Sequence, residues 1–518
     1  MADYEDLLYD NHPFALTHPD HLHTIAALFG LDPAPVQRCR VLELGCGLGG
    51  NLMPLAALFP ESEFVGVDRS QAQIAVARAD AAALGLGNIR LHAMDILDVT
   101  PAWGKFDYII CHGVFSWVPA EVQERILGIC RVHLAPHGIA YISYNTWPGW
   151  HVRGMIRSML RRHVTAIDPA ERVRQARALL STIVDYAPAD RSLSARWLRK
   201  EVEVIGQLSD AYVLYEHLVD VNSPMWFSEF AEQAARSGLQ YVGDAEFDSM
   251  FADKLGPGAS DRLATMAQGL VETEQYLDYL NVRFFRRSLL CHCEVKLDRA
   301  LTAQRLFGRQ VASRLRLRDD DTFESPEGMV IDTQDELVKA ALKVLTEYPQ
   351  GIRFETLCHY AALVVGRPPQ KEDRVELGGP LLELFATGAL RIGTWARPWV
   401  PIPPDRPVAP FFARHQARQG PGCTNLLHQG LGLDAVDRAL IARLDGRDRA
   451  ALVAAMQADL AQGLYEVTVD DAPLTDPEMI GELVDKKLAK LAQRALILAP
   501  DARESARLGA GPAGEGAT

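Results

Sequence analysis

Val41-Leu-Glu43-Leu-Gly45-Cys-Gly47-Leu-Gly49-Gly50 runs from a short apolar stretch directly into a glycine-rich turn. The pattern predicts a buried strand over residues 40–44, a loop over 45–50 and a helix over 51–59. The same rhythm repeats downstream. Strands are expected at 64–68, 89–93, 106–111 and 138–144, with helices at 71–84 and 121–134 between them. Strands alternating with helices of this length imply an α/β, Rossmann-like parallel sheet covered on both faces. Glycines in the turn let the backbone pass close beneath a ligand. Gly45-x-Gly47-x-x-Gly50 also satisfies the dinucleotide fingerprint, so the loop alone does not choose its ligand. The flanks are more selective. Glu43 precedes the first glycine by two residues, where its charge repels a pyrophosphate and attracts a cation. Asp68 closes the second strand, where a carboxylate can take both hydroxyls of a ribose. Asp95 and Ile96 close the third, suited to an adenine amino group and ring face.

Composition narrows the partners. The 518-residue chain carries 53 Lys and Arg against 67 Asp and Glu, a net charge of −14. Residues 1–150 hold twice as many acidic as basic side chains. That field disfavours nucleic acid and anionic membranes and leaves a cationic or neutral substrate comfortable. The opening MADYEDLLYD is acidic where a secretory leader would be basic. One uncharged run, residues 132–152, has spanning length, but His133, Pro136, His137 and Gly138 break it into a strand and a loop. Eight irregularly spaced Cys suit a reducing compartment. A cytoplasmic protein without membrane insertion or nucleic-acid partner is expected. Cys291-His292-Cys293 lacks a second ligand pair, and alternation along a strand would split it between two faces, so no metal is expected.

Residues 148–220 read as an Arg-rich helical insertion, after which strands at 238–243 and 289–295 return to the same sheet. The expected organisation is a first domain over 1–298 (core 38–147, insert 148–220, return 221–298). A winged-helix-like unit over 299–400, a Pro/Gly-rich linker over 401–432, a helical domain over 433–507 and a disordered tail over 508–518 follow. Within 299–400, three helices and a strand pair at 388–400 are expected.

Three acidic residues at three successive strand ends around a glycine-rich loop resemble the class I S-adenosylmethionine-dependent methyltransferases, whose sheet has seven strands. Other segments are similar to bacterial protein-lysine methyltransferases of the outer-membrane-protein type, which carry a methyltransferase regulatory domain. They are Tyr4…Tyr9…Pro13-Phe14…Thr17-His18-Pro19, Ser143-Tyr144-Asn145-Thr-Trp147-Pro148-Gly149-Trp150-His151, Tyr215-Glu216-His217…Asn222-Ser-Pro224 and Arg283-Phe-Phe-Arg286-Arg287. The resemblance implies S-adenosylmethionine as cofactor, protein lysines as acceptors and a homodimer formed through the insert. Cofactor contacts are then expected from Glu43, Gly45, Cys46, Gly47, Gly49, Asn51, Asp68, Arg69, Asp95, Ile96 and His112. Substrate contacts are expected from Tyr9, Ser116, Trp117, Asn145, Trp147 and Trp150, and Tyr144, Asn145, Trp147, Trp150 and His151 after strand five are expected to wall an acceptor channel. Tyr144, Glu216 and His217 are the expected catalytic groups, the latter two as proton acceptors. A small-molecule methyltransferase and a catalytically weak scaffold protein are the competing readings; the intact acidic set speaks against the scaffold.

Overall fold

The computed structural model describes residues 12–186, 192–469 and 472–500. Tyr4, Tyr9 and the tail expected at 508–518 lie outside the described residues. Seven strands form one sheet: β1 (Arg40–Leu44), β2 (Glu63–Asp68), β3 (Ile89–Ala93), β4 (Phe106–Cys111), β5 (Leu134–Asn145), β6 (Leu239–Asp244) and β7 (Phe285–His292). Their order is β3-β2-β1-β4-β5-β7-β6. The first five are parallel, and β7 runs antiparallel between β5 and β6. Side-chain alternation divides the core. Val41, Phe64, Tyr108 and Ile110 pack with helices α1 (Pro19–Leu28), α2 (Leu52–Leu58) and α3 (Gln71–Ala83). Leu42, Val65, Val67 and Ile109 face the other way, onto α4 (Ala120–His133) and the helix Phe227–Arg236. The chain order reverses between β1 and β4, so the carboxyl ends of the strands open into a crevice there.

β7 begins at Phe285 rather than at residue 289. Arg286 and Arg287 look like loop residues, yet Arg286 is fully buried and held by Asp278 Oδ2 (2.8 Å) and Glu274 Oε2 (2.9 Å). The charge is matched inside the fold, so the strand can include it.

The insertion is helical, as expected: α5 (Gly149–His163), α6 (Pro169–Tyr186), α7 (Leu193–Gly206) and a π-helical segment, Val213–Leu218. Ile156, Leu160, Val173, Leu180, Val202 and Ile205 give it a core of its own.

Downstream, helices Glu336–Glu347, Phe354–Val365 and Asp373–Ala386 pack beside a small antiparallel sheet. The strand pair expected at 388–400 is one strand, Leu390–Gly393, whose partner Gln310–Ser313 lies far upstream. The stretch expected as a linker is folded. Phe411–Gln419 is a helix with Phe412, Ala413 and Ala417 buried, followed by the hairpin Gly422–Thr424 and Gly430–Gly432. Pro410 precedes the helix as its cap rather than breaking it. Helices Ala435–Ile441, Arg449–Ala461 and Pro477–Gln493 and a terminal hairpin complete a C-terminal winged-helix domain. Among the described residues no helix is long and apolar enough to cross a membrane, and no group of His, Cys, Asp or Glu could hold a metal ion.

Candidate active site

The crevice is built from the ends of β1 and β2 upward. Gly45, Gly47 and Gly49 all take positive φ, at 81°, 51° and 73°. A side chain at Gly45 would strike Val114, so the turn needs glycine for room as well as for conformation. The amides of Gly45 and Cys46 donate to Val67 O, Gly47 N donates to Asp68 Oδ2 (2.9 Å), and Gly49 N to Cys46 O. These four amide donors of the turn are consumed within the protein. A pyrophosphate would need them free, so the dinucleotide alternative loses its main support.

Beneath the turn, Glu43 is 3% exposed. Its Oε1 accepts from Asn51 Nδ2 at 2.9 Å, while Oε2 is buried with no hydrogen-bond partner among the described residues. Burial pushes its carboxyl up to about 8; the Asn51 hydrogen bond opposes this and the Asp68 charge adds to it. Asp68, at the end of β2, is half-buried, and Ser70 N holds its second oxygen at 2.9 Å. Arg69 beside it is exposed. Asp95 is exposed at the end of β3 and accepts from Leu97 N, with Ile96 half-buried next to it. The three carboxylates therefore stand at the same edge, one deep, one half-buried and one exposed. An orphaned buried carboxylate oxygen beside a glycine cradle fits a cationic nucleoside such as S-adenosylmethionine.

Two expected cofactor residues play supporting parts. Cys46 is buried, its thiol pushed well above the usual range by burial, and it fills the space that the missing side chain of Gly66 leaves. Asn51 is also buried, with both ends of its amide engaged by protein. It holds Glu43 rather than facing the crevice. His112 follows β4; its Nδ1 meets Tyr141 Oη at 2.9 Å and its ring lies 3.8 Å from that of Phe14. Burial, with help from Arg287, lowers it to about 3, so it stays neutral.

The acceptor side departs further from expectation. Tyr144 is a core residue: its ring stacks on Phe230 at 4.1 Å, its hydroxyl bonds Ser288 Oγ at 3.0 Å, and burial raises its pKa. Its hydroxyl is engaged inside the core, so the expected catalytic position at Tyr144 is a packing position in this fold. Ser116 is buried too; its Oγ accepts from Asn145 N and its carbonyl from Ser223 N. Asn145 is buried and donates to Asn222 Oδ1 at 3.0 Å. These two residues fasten β4, β5 and the returning chain together. His217 is buried in the insertion's core, and burial with Arg153 and Arg157 lowers it to about 4, too acidic to keep a proton taken from an amine. Glu216, half-buried, lies on the same segment.

Beside the end of β5 opens a cleft of ≈ 500 Å³ lined by Trp147, Trp150, Arg157, Arg161, Arg162 and Asn222, among others. Trp147 is half-buried and stacks on His151 at 4.1 Å. Trp150 is buried, meets Trp117 edge-on, and its indole nitrogen has no partner among the described residues. Of the expected aromatic channel, Trp147 and Trp150 line one cleft and Tyr144 does not.

Sequence reading missed His428. Its Nε2 lies 2.8 Å from Asn51 Oδ1. No local motif marks a histidine that meets its partner across this many residues of chain.

Comparison with known proteins gives three family matches: "Methyltransferase domain" over residues 41–138, "Predicted methyltransferase regulatory domain" over 209–292, and "PKMT, C-terminal winged helix domain" over 405–496. An uncharacterised protein of Rickettsia prowazekii is 31% identical over 510 residues, spanning 95% of this chain and 92% of that protein. The solved structure of PKMT2 from Rickettsia typhi is 31% identical and superposes with a TM-score of 0.84, covering 94% of this chain and 100% of that one. A second structure of PKMT2, in complex with AdoHcy, superposes equally well (TM-score 0.84).

Proposed function

The chain belongs to the family of S-adenosylmethionine-dependent methyltransferases that includes PKMT2 of Rickettsia typhi, and from that premise we propose that it N-methylates lysine side chains of protein substrates. The observation that carries the reading is similarity to PKMT2 along nearly the whole chain, the winged-helix domain included. S-adenosylmethionine supplies a methyl group activated on a sulfonium. The chain's part is to seat that cation, present an amine in line with it and leave the amine unprotonated.

Glu43, Asp68 and Asp95 are the seat. Glu43 provides a desolvated negative charge, and a cation beside its orphaned Oε2 would hold it ionised. Asp68 is oriented by two backbone donors, which suits it to accept from vicinal hydroxyls. For the acceptor, the cleft offers tryptophan faces for an aliphatic stem. Arg157, Arg161 and Arg162 at its wall make an ammonium unwelcome and so favour the neutral amine, whose formation from lysine (pKa ~10.4) otherwise costs about 4.6 kcal/mol at pH 7. The test is to incubate the protein with methyl-labelled S-adenosylmethionine and fractionated lysate, then hydrolyse the products. Label in Nε-methyllysine supports the reading; label confined to small molecules or nucleic acid overturns it.

A further inference from the structure

The hairpin loop after Thr424 is built to hold one side chain in place. Asn425 Oδ1 accepts from the amides of Leu427 and Gln429, both at 2.9 Å, and its Nδ2 donates to Arg494 O at 3.0 Å. Leu426 N donates to Ala495 O. Leu426 and Leu427 are buried, and His428 sits at φ 60°, in the left-handed region, with its ring buried against the first domain. A loop fixed this firmly delivers the ring to one place, and that place is Asn51.

Hydrogen-bond logic then fixes every atom of the contact. Phe14 N can only donate, and it lies 3.0 Å from Asn51 Oδ1, so the amide oxygen faces that side and Nδ2 faces Glu43. His428 must therefore donate from Nε2. Its Nδ1 has no partner among the described residues, and burial, with the Arg397 charge, lowers the ring to about 3, so it is neutral. Thr17 Oγ1 stands 3.1 Å from the same oxygen but has one proton, and Phe14 O is nearer at 2.8 Å. Without His428, Asn51 Oδ1 keeps Phe14 N but loses its second buried donor, so the amide is held less firmly against Glu43 Oε1.

We propose that the C-terminal winged-helix domain sets cofactor affinity through His428, a positioning residue that locks the Asn51 amide and thereby the charge state of Glu43. The proposal rests on the reading of Glu43 as a cofactor contact. It gives the winged helix a task without nucleic acid: the cofactor seat is complete only when the last domain is docked. Glu43 is also faced by Asp68, Cys46 and Cys111, and His428 by His18 and Arg397, so those groups are left unaltered in the test.

The experiment is calorimetric titration of S-adenosylmethionine into the full chain at pH 6.5 and 8.5. His428→Phe keeps the ring and removes the donor; His428→Gln restores a donor at similar reach. The phenylalanine variant should bind about tenfold more weakly at pH 6.5, with the deficit shrinking at pH 8.5, where a larger share of Glu43 is already ionised before the cofactor binds. The glutamine variant should recover most of the loss. If His428→Phe fails to fold, His428→Asn, which tolerates the left-handed backbone but is too short to reach Asn51, replaces it. Wild-type affinity in the donor-less variant, an equal loss at both pH values, or no recovery with glutamine overturns the proposal. Glu43→Gln separates the two ideas. If it binds like wild type, the role of Glu43 falls; if it binds weakly while His428→Phe does not, only the link from the winged helix falls.

Discussion

The two halves of the crevice use the same sheet edge in opposite ways. At the ends of β1, β2 and β3, three carboxylates stand at the crevice: Glu43 has an orphaned oxygen, Asp68 is half-buried and oriented by backbone donors, and Asp95 is exposed. At the ends of β4 and β5, polar and aromatic side chains are consumed by packing: Tyr144 on Phe230, Ser116 on Asn145, Asn145 on Asn222. Below them lies a buried ionic cluster of Arg286 with Glu274 and Asp278. The first half is built to receive a ligand. The second is built to join the insertion to the sheet, with a cleft beside it at Trp147 and Trp150. A residue at a strand end is thus a candidate contact only if the fold leaves it something to bond.

The sharpest way to break this contrast is at the ionic cluster. Arg286→Met takes the paired cation from buried Glu274 and leaves Asp278 with Arg283 alone, and should cost ~3–5 kcal/mol of stability. Chemical denaturation should show that loss; a near-neutral effect would mean that the cluster does not hold β7 to the helix Leu270–Asn281. On the ligand side, Asp68→Ala should weaken S-adenosylmethionine by ~1–3 kcal/mol, read by calorimetry, through lost charge-assisted hydrogen bonds. An unchanged affinity would remove Asp68 from the seat. Tyr144→Phe is the mildest probe. It should lose ~1 kcal/mol of stability with its Ser288 bond and leave turnover within about twofold. A large fall in kcat at unchanged stability would return Tyr144 to the catalytic set.

What was legible in the sequence follows the same division. The glycine turn and the carboxylates at three strand ends are local patterns, each within a few residues of a strand recognisable by its apolar run. The five alternating strands, the helical insertion and the two strands that return after it were readable from that alternation, but the strand order was not. The acceptor side was not, because whether Tyr144 faces a crevice or Phe230 depends on a helix, Phe227–Arg236, that lies far along the chain. The start of β7 was hidden for a related reason: Arg286 looks like a loop residue until its carboxylate partners on another element are known. Residues 401–432 misled through their prolines, which cap and turn a folded segment whose buried face, Phe412 and Ala413, is short. His428 carried no local signal at all.

The central claim is that Glu43 is kept buried and underbonded for the sake of a cationic cofactor, and Glu43→Gln tests it most directly. Since the folded carboxyl is pushed up to about 8 from 4.5, the cofactor-free protein should lose stability as pH rises through that window. Cofactor affinity should rise over its upper part, because binding favours the ionised form. Glutamine removes the buried charge while keeping the shape. Measured at pH 8 by thermal unfolding and calorimetry together, the variant should unfold at the same or a higher temperature without cofactor. It should bind S-adenosylmethionine about tenfold more weakly, with the pH dependence of binding lost. Unchanged affinity, or a loss of affinity that merely tracks a loss of stability, would contradict the account.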